Sequence, residues 1–148
     1  MGTGMKEITK SELETINLGK KFARTLKGGE VVLLVGDLGA GKTIFAKGVA
    51  LGLGIKKNIT SPTFVLMKVY KVTSAKLQVT SLIHIDTYRG LSLSDLENIG
   101  ALEYFGRPDS ICLIEWGAGL EKYLKSQKIK VIKIKIKNLD EETREINY

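Results

Sequence analysis

Apolar residues along the chain form two kinds of pattern, short continuous runs and helical spacing. The continuous runs Val31 to Val35 and Ile111 to Ile114 have no polar face, which is typical of strands buried at the centre of a parallel sheet. Helical spacing follows two capping-box motifs, Ser11 to Glu14 and Ser94 to Glu97. Strands that alternate with helices predict an α/β architecture with a largely parallel centre.

Three of the four predicted helical segments end at stretches that contain glycine, a common helix stop. The expected helices begin at Ser11, extend from Ile44 to about Leu53, extend from Ser94 to Tyr104 and lie around Leu120 to Lys125. The first is expected to stop at Lys27-Gly28-Gly29 and the third at Gly106-Arg107-Pro108. These helices are expected to flank the sheet.

Two further regions have the character of strands. Phe64 to Val72 and Lys76 to Ile85 predict a β-hairpin with Thr73 to Ala75 near its turn. From Lys130 to Lys137 isoleucines alternate with lysines, which predicts an edge strand whose lysines block edge-to-edge aggregation. The hairpin and this last strand are expected to form antiparallel edges of the sheet.

The lysine-rich strand also has a second interpretation, as a surface that meets RNA or an acidic partner. The net charge of the chain is +7, and much of the excess lies near the C-terminus. No aromatic residues alternate with these lysines to stack on bases, which weakens the interpretation as a direct RNA contact.

Composition is typical of a globular protein with one domain. The 148 residues fit one domain, and 43% hydrophobic residues suffice for a core. No apolar run approaches the roughly 20 residues of a membrane-spanning helix, and no secretory signal is recognisable. Cys112 is the only cysteine and lies in an apolar run, which predicts a buried, inert thiol and a cytoplasmic location. A second methionine at position 5 indicates that Met1 to Gly4 are a cloning remnant.

The strongest chemical motif is GDLGAGKT, from Gly36 to Thr43, which matches the phosphate-binding pattern G-x-x-x-x-G-K-[ST]. Its glycines let successive backbone N–H groups turn toward an anion, and the following helix adds its N-terminal donors. Lys42 is expected to reach the β- and γ-phosphates of ATP, and the Thr43 hydroxyl to bind Mg²⁺. The buried strand before the motif and the helix after it favour this over an ordinary glycine-rich turn. We predict one P-loop NTPase-like domain over residues 1–148.

Two apolar strands end with an acid, Asp86 in one and Glu115 in the other. If both strands are parallel to the strand before the P-loop, both carboxylates arrive near the magnesium ion at Thr43. One could hold the metal while the other orients or deprotonates the attacking water. The sequence does not assign the two roles, and helix capping or turn formation by a surface acid is the alternative for each.

Two other residues near these acids have a structural and a functional interpretation. His84 shares a strand face with Asp86, and a packed or hydrogen-bonded histidine is favoured over a catalytic one. Trp116, the only tryptophan, follows Glu115 directly. It is either a core residue or a side chain that packs near the nucleotide base.

Taken together, four motifs resemble those of the bacterial TsaE family. They are GDLGAGKT at residues 36–43, Ser61-Pro62-Thr63-Phe64, His84-Ile85-Asp86-Thr87-Tyr88-Arg89 and Ile114-Glu115-Trp116. The P-loop alone is common to many families, but its combination with Ser-Pro-Thr and Asp-x-Tyr-Arg is much more specific. The order and spacing of the motifs extend the resemblance over nearly the whole chain.

The resemblance implies an ATPase required to form N6-threonylcarbamoyladenosine at position 37 of ANN-decoding tRNAs. It implies binding to a complex of TsaD and TsaB, whose repeated turnover ATP hydrolysis supports. Hydrolysis would be slow in isolation and raised by these partners. The tRNA would be contacted indirectly, through the complex.

The resemblance also implies roles for particular residues. Catalytic roles fall to Lys42, Asp86 and Glu115, metal binding to Thr43 and Glu115, and nucleotide binding to Glu12, Gly39, Ala40, Gly41, Lys42, Thr43, Ile44, Thr63, Trp116 and Thr143. Thr63 belongs to a switch-like segment near the γ-phosphate. Glu12 and Thr143 are only approximate positions, for a helix start and a turn near the nucleoside. Ile44 departs from the second threonine or small polar residue of many relatives, although its backbone can still contribute.

Other functions remain open at this point. A small-molecule or nucleoside kinase would need an arginine-bearing lid over the phosphates, and the chain has only four arginines. A non-catalytic module that binds partners under nucleotide control fits the P-loop equally well. Direct tRNA binding through Lys133, Lys135 and Lys137 would give an affinity that falls steeply with salt.

Overall fold

A single seven-stranded sheet organises the protein. The computed structural model describes residues 4–36, 41–57, 59, 67–73, 78–87 and 92–148. The strands are β1 (Lys6–Thr9), β2 (Val31–Val35), β3 (Met67–Lys71), β4 (Ser81–Asp86), β5 (Ser110–Glu115), β6 (Val131–Asn138) and β7 (Arg144–Asn147). The helices are α1 (Glu12–Ala23), α2 (Lys42–Gly52), α3 (Leu93–Asn98) and α4 (Glu121–Ser126), with 3₁₀ turns at Ala101–Glu103 and Gly117–Leu120.

The strand order β1-β7-β6-β2-β5-β4-β3 places the two most apolar strands next to each other at the centre. Strand β2 is parallel to β5 and β6, and β5 is parallel to β4. Antiparallel pairs complete the sheet, β3 with β4 on one side and β7 with β6, then β1 with β7, on the other. The predicted α/β class, with a mostly parallel centre and antiparallel edges, is confirmed.

The prediction that the lysine-rich segment forms an edge strand is wrong. Strand β6 lies between β2 and β7, and β1 and β3 are the edges. Alternation of isoleucine and lysine indicates only that one face of the strand is buried and the other is open to solvent. A strand in the interior of a sheet has the same pattern when one of its faces is open. Residues Ile134 and Ile136 are buried, whereas Lys135 and Lys137 are exposed. Strands β1 and β7, which separate β6 from the edge, are too short to stand out in the sequence.

Helix α1 starts as predicted, but α3 does not. Ser11 caps α1, and its side chain accepts a hydrogen bond from the Glu14 amide at 3.1 Å. The capping box of α3 is formed by Ser92 and Asp95, so the predicted cap residue Ser94 lies inside the helix. This helix ends at Asn98, well before the predicted Tyr104, because the chain turns at Gly100 with a φ of 82°.

Helices α1 and α2 cross at very short range on one side of the sheet. A Cβ atom at Gly19 would lie 2.5 Å from the Phe45 carbonyl oxygen, and one at Gly48 would lie 2.2 Å from the Ile16 carbonyl oxygen. Only glycine allows backbones to approach this closely. The close crossing fixes α2 against the sheet, and with it the P-loop residues at the start of α2.

On the opposite side of the sheet, the described residues place α3 and α4 against the strands. Leu96 and Leu124, from α3 and α4, pack with Ile83, Cys112 and Ile114 in a second core cluster. Burial raises the pKa of the Cys112 thiol to about 12, which makes this thiol inert at neutral pH, as predicted. No helix among the described residues is long and apolar enough to cross a membrane.

Candidate functional site

The carboxyl ends of the parallel strands meet at one edge of the sheet, where α2 also begins. Gly41 precedes the first helical residue with a φ of 99°, in the left-handed region that favours glycine. Its carbonyl oxygen accepts the amide of Phe45 at 2.9 Å and so starts the hydrogen bonds of α2. Residues 37–40 lie outside the described part of the chain, and with them the predicted site residues Gly39 and Ala40.

Lys42 lies in the interior although it carries a charge. Only 5% of the residue is exposed, and its ammonium group donates a hydrogen bond to the Gly36 carbonyl oxygen at 2.8 Å. The same Nζ lies 3.7 Å from the centre of the Trp116 ring, a cation–π arrangement. The lysine therefore contacts both the start of the P-loop motif and the residue after β5.

Trp116 is held beside Lys42 by its own backbone. Its φ of 67° is unusual for a bulky residue, and its amide donates to the Leu34 carbonyl oxygen at 2.9 Å. The chain thereby bends away from the sheet directly after Glu115. This half-buried indole is a side chain at the site rather than part of either core cluster.

Glu115 connects the P-loop helix with the neighbouring strand. Its carboxylate accepts a hydrogen bond from Thr43 Oγ1, at 3.1 Å to Oε1 and 3.3 Å to Oε2. Oε2 also lies 2.5 Å from His84 Nε2. The residue is only 3% exposed, so these partners replace the water that a carboxylate would otherwise bind.

The hydrogen bond to Glu115 uses Nε2 of His84. An ionised carboxylate only accepts hydrogen bonds, and beside it Nε2 is the donor. Nδ1 of the same ring is buried and has no hydrogen-bond partner among the described residues. His84 is therefore packed and hydrogen-bonded, the interpretation favoured by the sequence, and it orients the Glu115 carboxylate.

Asp86 stands beside Glu115 on the next strand. The two residues are paired in the parallel register of β4 and β5, and both strands are parallel to β2. Because these strands are parallel, both acids lie at the same edge of the sheet. Thr87 ties the strand ends together, because its amide and its hydroxyl both donate to the Glu115 carbonyl oxygen at 3.0 Å.

The oxygen atoms of Thr43 and Glu115 fit a magnesium ion. Both are hard donors, and Mg²⁺ is usually bound through one or two carboxylates together with phosphate oxygens and water. Among the described residues there is no group of three histidine, cysteine or acidic side chains that could hold a metal by itself.

The other predicted residues are distributed around this edge. Glu12 is the exposed first residue of α1, Ile44 is half-buried in the first turn of α2, and Thr143 is half-buried in the turn before β7. Thr63 lies outside the described residues. The positions of these residues do not test the nucleotide contacts predicted for them.

Arg144, a residue that the sequence analysis did not select, packs against the P-loop. It is 7% exposed, and a Cβ atom at Gly41 would lie 2.4 Å from its Nε and 2.8 Å from its Cδ. Its Nη1 donates to the Glu142 carbonyl oxygen at 3.3 Å. The sequence signal was weak, an arginine at the start of a four-residue strand.

Curated proteins of similar sequence share a name. The chain is 46% identical over 114 residues to the tRNA threonylcarbamoyladenosine biosynthesis protein TsaE of Treponema pallidum, which covers 76% of this chain and 78% of that protein. It is 38% identical over 144 residues to the protein of the same name from Bacillus subtilis, with coverage of 97% and 84%.

The fold agrees with these relatives. The crystal structure of Bacillus subtilis YdiB matches with a TM-score of 0.67 and 34% identity, over 99% of this chain and 85% of that one. The family model described as threonylcarbamoyl adenosine biosynthesis protein TsaE matches residues 9–146. The chain therefore belongs to the TsaE family, as its motifs predicted.

Proposed function

We propose that this protein is a magnesium-dependent ATPase that acts in the biosynthesis of threonylcarbamoyladenosine in tRNA. The observation that carries the proposal is the cluster of buried Lys42, half-buried Thr43 and buried Glu115, where α2 begins and β5 ends. It places a cation, a hydroxyl and a carboxylate beside a helix N-terminus, a combination that suits a nucleoside triphosphate with Mg²⁺.

In this proposal each residue of the cluster has a separate task. Lys42 exchanges its bond to the Gly36 carbonyl for the β- and γ-phosphates, and the amide groups at the start of α2 add further donors. Thr43 and Glu115 would hold Mg²⁺, and the ion would neutralise charge on the phosphates. Asp86 orients or deprotonates the attacking water, and Trp116 packs near the nucleotide.

The pathway is proposed from the family. Curated relatives are named for tRNA threonylcarbamoyladenosine biosynthesis, and the resemblance implies a TsaD–TsaB complex as the partner. ATP hydrolysis by this chain would support repeated turnover of that complex at position 37 of ANN-decoding tRNAs. Contact with tRNA would be indirect.

The test is ATP hydrolysis by the protein alone and then with TsaB, TsaD and tRNA added. We expect slow hydrolysis that the partners raise and that Lys42→Ala and Glu115→Ala abolish. Lys122→Ala, at an exposed lysine of α4, is the matched control and should hydrolyse ATP like the wild type.

Other outcomes would favour a different function. ATP binding that changes affinity for the partners, without hydrolysis in any mixture, would favour a nucleotide-controlled binding module. Transfer of the γ-phosphate to a nucleoside or another small acceptor would favour a kinase. Wild-type turnover in Lys42→Ala would contradict the P-loop assignment itself.

A further inference from the structure

The side chain of His84 is committed to a single polar contact. The residue lies on β4 and is fully buried. Its Nε2 lies 2.5 Å from Glu115 Oε2, and its Nδ1 has no hydrogen-bond partner among the described residues. In the described part of the chain, the Glu115 carboxylate is therefore the group that this ring serves.

The contact has the character of a fixed donor rather than of a proton relay. A histidine that passes protons along uses both ring nitrogens, because the proton that arrives at one nitrogen leaves from the other. Nε2 faces Glu115, but no described group takes up a proton at Nδ1. The ring is thus suited to hold the carboxylate in one orientation.

Two donors from different elements hold the Glu115 carboxylate. Thr43, in the first turn of α2, donates to Oε1 at 3.1 Å and lies 3.3 Å from Oε2. His84 donates to Oε2 from β4, a strand that pairs in parallel register with β5 and so fixes the two backbones relative to each other. In the proposed function the Thr43 oxygen also binds Mg²⁺. Of the two donors, His84 is the one whose contact with Glu115 does not compete with the metal.

A carboxylate with a fixed orientation suits Mg²⁺ better than Ca²⁺. Mg²⁺ demands near-ideal octahedral geometry and is usually bound through one or two carboxylates with water and phosphate oxygens. Ca²⁺ takes about 6–8 oxygens at longer distances, often including both oxygens of one carboxylate. Because His84 engages one oxygen of Glu115, the carboxylate has less freedom to present both oxygens to one ion.

We propose that His84 is a positioning residue that makes the site prefer Mg²⁺ to Ca²⁺, by holding one oxygen of Glu115. The proposal rests on the proposed function and adds a determinant of metal specificity to the same site. Hydrogen-bond partners of metal ligands act in this way, since they orient the ligand and their loss weakens metal binding.

The test compares two metal complexes of one nucleotide. Calorimetric titration with Mg-AMPPNP and with Ca-AMPPNP, a non-hydrolysable ATP analogue, gives two dissociation constants for each variant. In His84→Leu, which removes the donor and keeps the site apolar, the ratio of the Ca to the Mg dissociation constant should fall about 10-fold. A ratio is the informative quantity because a loss of folded protein affects both constants alike.

Two further variants separate positioning from packing. His84→Gln places an amide nitrogen near the position of Nε2 and should restore most of the wild-type ratio. Ile83, the preceding residue of β4, is fully buried but belongs to the core cluster on the other face of the sheet. Ile83→Ala lowers the melting temperature by leaving a cavity, and its ratio should equal that of the wild type.

Each contrary result has a definite meaning. A wild-type ratio in folded His84→Leu would overturn the proposal, and so would equal shifts in the leucine and glutamine variants, since the donor would then not be responsible. An equal shift in Ile83→Ala would overturn it as well, by attributing the change to lost stability. His84→Met replaces the leucine variant if that variant does not fold, with the same expected and contrary outcomes. Failure of the wild type to bind either complex would instead remove the proposed function, so the two failures are distinguishable.

Discussion

The protein has two groups of cationic side chains, one buried and one on an open face of the sheet. The buried pair, Lys42 and Arg144, meets at the P-loop glycine. The lysine row, Lys133, Lys135 and Lys137, lies along the open face of β6. The row contributes more to the net charge and is far more visible in the sequence. The buried pair nevertheless lies beside the P-loop motif, at Gly41 and at the first residue of α2.

The difference indicates that burial, rather than the number of charges, determines how strongly a cation interacts with a nearby anion. Lys133 lies 3.5 Å from Glu121, and Lys6 on the neighbouring surface lies 3.1 Å from Glu145. Water and salt screen such exposed groups, and surface ion pairs contribute little to stability. Lys42 and Arg144 are nearly buried, so water and salt screen them less than they screen the exposed lysines.

The largest effect is expected from Lys42→Ala. The substitution removes charge-assisted bonds to phosphate, which contribute about 1.5–3 kcal/mol, and so weakens Mg-ATP binding by about 10- to 100-fold. Lys135→Ala, from the lysine row, is the matched control and should leave the affinity unchanged. Calorimetric titration measures both. Equal losses in the two variants would mean that general positive charge, rather than the buried site, attracts the nucleotide.

Substitution of Glu115 should also have a large effect, and the loss of stability should depend on whether the new side chain keeps an acceptor oxygen. Glu115→Ala leaves the donors of His84 and Thr43 without their acceptor, which should cost about 1–3 kcal/mol of unfolding free energy. Glu115→Gln keeps an acceptor oxygen and should cost less, but it loses the charge that favours Mg²⁺. Urea unfolding and the magnesium dependence of ATP affinity measure the two losses. Unchanged magnesium dependence in both variants would remove Glu115 from the metal site.

A smaller effect is expected at the turn that carries Arg144. The amide of Glu142, and then that of Thr143, keeps the pKa of Asp140 below its usual value. Because the pKa of Asp140 is lower in the folded state, its ionised carboxylate stabilises the protein at pH values above the unfolded-state pKa of about 3.9. This stabilisation disappears as the pH falls through the lower folded-state pKa. Asp140→Asn should therefore reduce the urea midpoint at pH 7, and the difference from wild type should vanish in acid.

The same substitution tests whether the turn matters for the site. If the turn before β7 lies near the nucleoside, as the resemblance implies, Asp140→Asn should also weaken Mg-ATP binding slightly. Glu141→Gln, at an exposed neighbour, provides the control. A changed urea midpoint with unchanged affinity would limit Asp140 to a role in stability.

Sequence reasoning was most successful where the signal is local. The capping serine of α1, the buried strands around Val31 and Ile111, and the P-loop motif all depend on residues a few positions apart. The two strand-end acids were also found, because parallel strands bring their carboxyl ends to one edge. Their position relative to each other was not predictable, since it depends on the register of β4 against β5.

The features that sequence reasoning missed depend on contacts between distant segments. The position of β6 inside the sheet is set by β1 and β7, which come from opposite ends of the chain. Arg144 reaches Gly41 only because this pairing carries β7 alongside β6. The bond from His84 to Glu115 similarly joins two strands. No spacing rule along the chain reports such contacts, because each joins segments that are far apart in the sequence.

The smallest effect is expected from the lysine row itself. Changing Lys133, Lys135 and Lys137 to glutamine should alter the unfolding free energy by no more than about 0.5 kcal/mol per substitution, the usual range for surface changes. Mg-ATP affinity should be unchanged, because water and salt screen the charges of these lysines. If these lysines contact tRNA directly, the triple variant should show a shallower salt dependence of tRNA affinity. Filter binding of tRNA across a range of salt concentrations measures that slope. An unchanged slope would indicate that the lysine row is a solvated face of the sheet that makes no direct contact with tRNA.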